Sequence, residues 1–205
     1  MDLASILLGG LAAGMVLFVV SVGLSVTMGL MGFVNLAHGG FAMLGGYAVV
    51  LAMRHWGLPF YAALALGFVA VALLAALLER TRIGAQIRAA VDNRRMAESM
   101  GVDVRRLFTL TFALGSGLAA AGGGLGAEIL GLDPQYPLRY LAYFLIVVAV
   151  GGLGRVSGVF FAALALGVLD FVLKVHFPKG GTMFIYALTI AFLLARPQGL
   201  FGKRA

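Results

Sequence analysis

From Leu3 to Met53 the chain contains no Asp, Glu, Lys or Arg. No water-soluble fold of this size can hide so long an uncharged run, because its apolar surface would have to face water. A helical bilayer crossing needs about 20 mainly apolar residues, so this run alone has room for two. The rest of the chain agrees. Charged residues make up 11% of the 205 residues, whereas soluble domains carry roughly 25%. The chain therefore reads as an integral membrane protein.

The spans read as helices rather than barrel strands. Barrel strands alternate apolar and polar residues with a period of two, and "YAALALGFVAVALLAALL" does not alternate. Cysteine is absent, which excludes disulfides, thiolate metal sites and a cysteine nucleophile. The start, "MDLASILLGG", lacks a basic region and reads as the beginning of a first span rather than a cleaved signal peptide. Seven spans are expected, at about 5–28, 34–53, 60–78, 107–127, 140–153, 157–175 and 181–195. The 5–53 region is the place for a broken or re-entrant helix, and the fifth span is short. The fold class is thus an all-α integral membrane protein, one transmembrane domain over 1–205, with a charged segment at 79–106.

The net charge of +7 could signal nucleic acid in a soluble protein. Here the positive-inside rule accounts for it better, and no nucleic-acid partner is expected. If all seven spans cross, Arg80, Arg82, Arg88, Arg94, Arg95, Arg105, Arg106, Arg155, Arg196, Lys203 and Arg204 share one side. Arg54, Arg139, Lys174 and Lys179 share the other. Eleven cations against four predict the N-terminus outside, the C-terminus cytoplasmic and 79–106 cytoplasmic.

Small residues recur at small-xxx-small spacing, as in Gly10 and Gly14, Ala119 and Gly123, and Gly122 and Gly126. In lipid, where helices gain little from hiding apolar surface, such positions let backbones approach closely. "GSGLAAAGGGLG" therefore reads as a packing face. It is not a phosphate loop, since no Gly-Lys-Ser/Thr follows. The charged stretch "IGAQIRAAVDNRRMAESMGVDV" has good helix formers and Gly101 as a stop. Its composition fits either an amphipathic connector on lipid headgroups or a docking helix for a soluble partner.

Three stretches carry a resemblance: "GLSVTMGLMGFVNLAHGGFAMLGGY", "TRIGAQIRAAVDNRRMAESMGVDVRRLFTLTFALGSGLAAAGG" and "VVAVGGLGRVSGVFFAALALGVL". With "ARPQGLFG" near the tail, they are similar to the permease subunit of branched-chain amino acid ABC importers. The resemblance implies a bacterial-type inner-membrane subunit with no cofactor of its own, ATP being bound by separate ATPase subunits. A second permease subunit and a periplasmic or extracellular substrate-binding protein are the other implied partners. It also implies that 85–101 is a cytoplasmic coupling helix, with Ala89, Ala97 and Gly101 at its small positions and Arg94, Arg95 and Glu98 setting register. Substrates of such systems are hydrophobic amino acids, urea, amides or short organic acids. Family members are longer and carry additional spans between the counterparts of "AALLE" and "RTRIGAQ". An internally deleted, non-transporting remnant or scaffold is therefore the alternative reading.

A polar side chain in hydrocarbon is costly unless it is bonded or faces water. Asn35 and His38, three apart, are expected to share one helix face, with Gly39 and Gly40 allowing a break or a close approach. That face, with Thr27, either lines a substrate path or holds span 2 to its neighbours by hydrogen bonds. In both cases a neutral imidazole bonded to a neighbouring carbonyl is expected. Ser21, Ser25 and Thr27 are expected to bond backbone. Asp170 and Lys174, four apart, suit an ion pair at the outer interface, and Glu128 suits the outer headgroup region. No HExxH, GxSxG or aspartate pair within a span points to an enzyme, and no metal site is expected.

Overall fold

The computed structural model of the protein describes residues 3–32, 34–79, 103–178 and 180–200. Among them the chain is helical throughout, without strands. The helices are α1 (Leu3–Met31), α2 (His38–Trp56), α3 (Phe60–Glu79), α4 (Val104–Leu125), the single turn α5 (Ala127–Leu130), α6 (Tyr136–Gly151), α7 (Val156–His176) and α8 (Gly181–Ala195). The fold is a polytopic helical bundle.

All seven expected spans find a helix, but they are not equal. Among the described residues α1, α4 and α7 are long and apolar enough to cross a membrane. The apolar helical stretches Phe60–Leu73, Tyr136–Gly151 and Met183–Ala195 are shorter. At 1.5 Å per residue, the 16 residues of α6 reach about 24 Å, short of the ~30 Å hydrocarbon layer. The seven expected spans thus correspond to α1–α4 and α6–α8, and among the described residues three of these are by themselves long and apolar enough to cross a membrane.

Two boundaries move for legible reasons. Helix α4 starts at Val104, not 107, because Asp103 caps it: its Oδ1 accepts from the Arg106 N–H at 3.0 Å. Arg105 and Arg106 thus belong to the helix. Helix α6 starts at Tyr136, not 140, with Pro137 in its first turn, where proline's fixed φ suits a helix start.

Helix α4 is the hub, and its small residues face three neighbours. A Cβ added at Gly126 would come within 2.7 Å of Val16 on α1, and one at Gly122 would run into Val20. Gly123 lies against the Ala42 backbone of α2, while Ala120 meets Gly45. Gly117 and Gly124 face Phe68 and Leu64 of α3, where added Cβ atoms would sit at 2.9 and 2.8 Å. On another side of α1, Gly10 and Gly14 lie against Val168 and the Ala163–Leu164 backbone of α7, with would-be Cβ distances of 2.8 and 3.0 Å. The small-xxx-small pairs are packing faces, as expected.

These contacts also sort the ends of the bundle. Helices α1 and α3 run antiparallel to α4, and Gly29 meets Gly154 in the α6–α7 turn. Arg105, Arg106, Arg155 and Arg196 therefore gather at one end, together with Glu79 and Asp103, the residues that flank 80–102. Arg54, Arg139 and Lys174 lie towards the other end. There Lys174 Nζ donates to Asp170 Oδ2 at 2.6 Å, the Tyr143 hydroxyl donates to Oδ1 at 3.3 Å, and Lys174 lies 5.5 Å from the Tyr143 ring centre. The expected ion pair is present and ties α7 to α6. Asp170 is 14% exposed and Lys174 47%, so solvent screens part of the attraction. Asp170→Ala is expected to cost about 1–2 kcal/mol, read as a lowered melting temperature in detergent. Lys174→Ala should cost less, because the tyrosine bond to Asp170 survives.

Candidate functional site

Asn35 and His38, two polar residues of the first uncharged run, lie at the start of α2. Helix α1 ends at Met31, where Gly32 takes φ 69°, a left-handed conformation that glycine adopts freely. The chain then turns through 34–37. The Ala37 N–H donates to Asn35 Oδ1 at 3.1 Å, and the His38 N–H donates to the Asn35 carbonyl at 3.1 Å. This is a turn closed by an asparagine side chain. Asn35 therefore does not share a helix face with His38, as the spacing suggested. Its amide bonds its own backbone two residues on and competes with helix formation there. The break likewise falls at 32–37, not at Gly39 and Gly40, which lie in the first turn of α2.

His38 has no exposed surface. Its Nε2 lies 2.8 Å from the Val20 carbonyl oxygen. A carbonyl only accepts, so Nε2 carries the proton, and Nδ1 has no hydrogen-bond partner among the described residues. The ring also meets Phe144 of α6 edge-on at 6.5 Å. Val20 lies eleven residues before the end of α1, about 16 Å along its axis. Helix α2 therefore begins deep along α1, level with its middle, and not at the end of the bundle. The His38 and Phe41 N–H groups donate to the Asn35 and Ala37 carbonyls, and the positive dipole end of the helix is placed in the interior.

The neighbours of this point are small. A Cβ on Gly23 would run into the Gly115 carbonyl and lie 3.2 Å from His38 Cε1. One on Gly39 would lie 2.8 Å from the Pro137 carbonyl oxygen, whereas one on Gly40 would meet nothing within 4 Å. The start of α2 is thus wedged against α1, α4 and α6 through Gly23 and Gly39, while the Cβ position of Gly40 is open. Asn35 is 6% exposed, and its Nδ2 finds no hydrogen-bond partner among the described residues.

Thr27 stands apart from this group. Its hydroxyl donates within its own helix, to Gly23 at 3.1 Å and Leu24 at 2.9 Å, and its methyl faces Gly115. Ser21 and Ser25 depart from expectation: both hydroxyls are buried and bond no backbone or side chain among the described residues. The buried hydroxyls of Ser116 of α4 and Tyr136 of α6 likewise find no partner among the described residues. Sequence reading did not single them out. Ser116 sat unnoticed inside a glycine-rich packing face. Tyr136 sat in what read as a loop. Glu128 falls within α5, and its side chain lies outside the described residues. So do Ala89, Arg94, Arg95, Ala97, Glu98 and Gly101. Among the described residues no three His, Asp or Glu side chains gather as metal ligands would.

A bundle of apolar helices cemented by small residues, with one helix starting in its interior, is a polytopic helical membrane fold. The chain belongs to the family described as branched-chain amino acid transport system permease component, whose family model matches residues 6–79 and 65–193. It is 28% identical over 139 residues to the high-affinity branched-chain amino acid transport system permease protein LivH of Salmonella typhimurium, a match covering 66% of this chain and 45% of that protein. It is 27% identical over 128 residues to BraD of Pseudomonas aeruginosa, likewise a branched-chain amino acid permease protein, covering 62% and 42%. It is 34% identical over 140 residues to the autoinducer 2 import system permease protein LsrC of Klebsiella pneumoniae, covering 63% and 41%. The matches thus take in less than half the length of these relatives. No solved structure matches the chain.

Proposed function

We propose that the protein is the membrane-spanning permease subunit of an ABC importer for branched-chain or other hydrophobic amino acids, or related small polar solutes. The observation that carries this reading is the interior start of α2. The His38–Val20 bond braces α1 and α2 but uses only Nε2; His38 Nδ1 and Asn35 Nδ2 are buried without a hydrogen-bond partner among the described residues, beside the α2 N-terminus. Transport gives these groups a use. Partial positive charge and amide donors suit the carboxylate of a zwitterion passing through. Asn35, His38, Gly39 and Gly40 form this part of the path, with Thr27 bordering it through its methyl.

The subunit does no chemistry itself and needs no cofactor. Separate ATPase subunits bind ATP and drive alternating access by moving a coupling helix at 85–101 and the spans joined to it. Ala89, Ala97 and Gly101 let the partner cleft approach, and Arg94, Arg95 and Glu98 set register. A second permease subunit and a substrate-binding protein complete the importer. The arginine-rich end faces the cytoplasm and the N-terminus lies outside.

Absence of cysteine makes the test clean. A single cysteine at Ala97 in intact cells should react only with reagents that enter the cytoplasm. Labelling from outside would end both the orientation and the coupling role. Gly101→Arg should insert normally, lose ATPase association and lower uptake at least about tenfold, equivalent to about 1.4 kcal/mol of coupling. Unchanged association would make 85–101 a lipid-facing connector. Assembly with the ATPase and binding protein but no uptake by the unaltered chain would favour the non-transporting alternative.

A further inference from the structure

Tyr136 is the largest fully buried side chain among the described residues. Its hydroxyl finds no hydrogen-bond partner among them, and leaving a buried hydroxyl unbonded is unfavourable. Packing alone favours phenylalanine at such a position, with the same ring and no oxygen. The other two tyrosines of α6 do bond: Tyr140 donates to the Leu130 carbonyl at 2.9 Å and Tyr143 to Asp170 at 3.3 Å. The Asp133 carboxylate, three residues before Tyr136, is engaged by Arg139 at 3.0 Å and by the Gln135 N–H at 2.8 Å.

Tyr136 is the first residue of α6. Side chains lean towards the N-terminus of their helix, so this ring projects past the α6 start. The α6 start abuts the α2 start: a Cβ on Gly39 would lie 2.8 Å from the Pro137 carbonyl oxygen and 3.0 Å from its Cα. A row of rings joins the two starts as well. Tyr136 stands 4.8 Å from Tyr140, Tyr140 stands 6.4 Å from Phe144, and Phe144 meets His38 at 6.5 Å, centre to centre. On the α2 side, Asn35 is pinned across the first turn by its bond to the Ala37 N–H. Its Nδ2 and His38 Nδ1 are buried without partners among the described residues, as the Tyr136 hydroxyl is. The phenol and the amide nitrogen are donors, and they lie beside the positive end of α2. Together they suit a negatively charged acceptor, a carboxylate above all.

We infer that Tyr136 is a further substrate-contacting residue of the path, its hydroxyl donating to the carboxylate of the solute as it passes the α2 and α6 starts. This inference rests on the importer reading above and adds to it a residue from a second helix.

Tyr136→Phe tests it, because it keeps the ring and removes only the oxygen. In vesicles carrying the ATPase and binding protein, the initial rate of leucine uptake should fall about tenfold, the loss of one hydrogen bond at about 1.4 kcal/mol. The melting temperature in detergent should stay level or rise, since no bond within the chain is lost. An unchanged uptake rate overturns the inference. A lowered melting temperature overturns it too, by making the hydroxyl a structural bond. Absence of uptake by the unaltered chain would count against the importer reading alone, and thiol labelling then decides whether solutes reach this point. Tyr136→Cys gives the cysteine-free chain a single thiol, which a small charged thiol reagent should modify. Ala162→Cys, at a fully buried position of α7, should stay unmodified. Equal protection of the two thiols would overturn the inference.

Discussion

Replacing Gly123 by leucine is expected to abolish the folded bundle. The position faces the carbonyl, carbonyl carbon and Cα of Ala42, all of them backbone. A clashing side chain can rotate away, but a helix backbone moves only as a unit. Gly123→Leu must therefore push α2 off α4 and, with it, undo the contact of Ala120 with Gly45. Overpacking costs about 1–3 kcal/mol at ordinary core sites, and a backbone-on-backbone contact lies at or above the top of that range. Against a total stability of about 5–15 kcal/mol, the variant should lose its monodisperse peak in size exclusion and its cooperative melt. Gly40→Leu is the control. Nothing lies within 4 Å of its Cβ position, so it should melt within about 0.5 kcal/mol of the unaltered protein. Equal melting of the two variants would sink the packing assignment of α4.

His38→Ala carries the second large effect. The imidazole is fully buried, donates to Val20 and packs on Phe144. Removing it leaves a cavity and frees a buried carbonyl acceptor, for an expected loss of about 2–4 kcal/mol. His38→Gln separates the two roles of the ring. Its side-chain amide can replace Nε2 as donor to Val20 but places no acceptor where Nδ1 stands. Stability should return in large part. Uptake in vesicles carrying the ATPase and binding protein should not, if Nδ1 faces the substrate path. Full recovery of both would reduce His38 to a brace between α1 and α2.

Much of this fold is legible in one chain. Uncharged length set the membrane environment, and glycine spacing marked the packing faces of α1 and α4. The Asp170–Lys174 pair followed from helical periodicity alone. Two boundary errors had readable signals in Asp103 and Pro137, whose cap and first-turn preferences are local. Asn35 is a different case. Its spacing from His38 fits a helix face, and the turn that wins does so through a side-chain bond to Ala37 N–H. Helix and turn are close in local energy for asparagine, so neighbours decide.

The interior position of the α2 start is a matter of tertiary structure. Nothing local tells His38 to reach Val20, eighteen residues earlier. That contact exists because Gly23, Gly39 and Gly115 let three helices close around one point. Composition and periodicity describe what each segment prefers along its own axis, and burial in lipid follows from them. How far one helix slides past another is decided by the sum of many small contacts between faces. Only the assembled bundle evaluates that sum, and it is what places the Asn35 amide and the His38 imidazole in a mainly apolar interior.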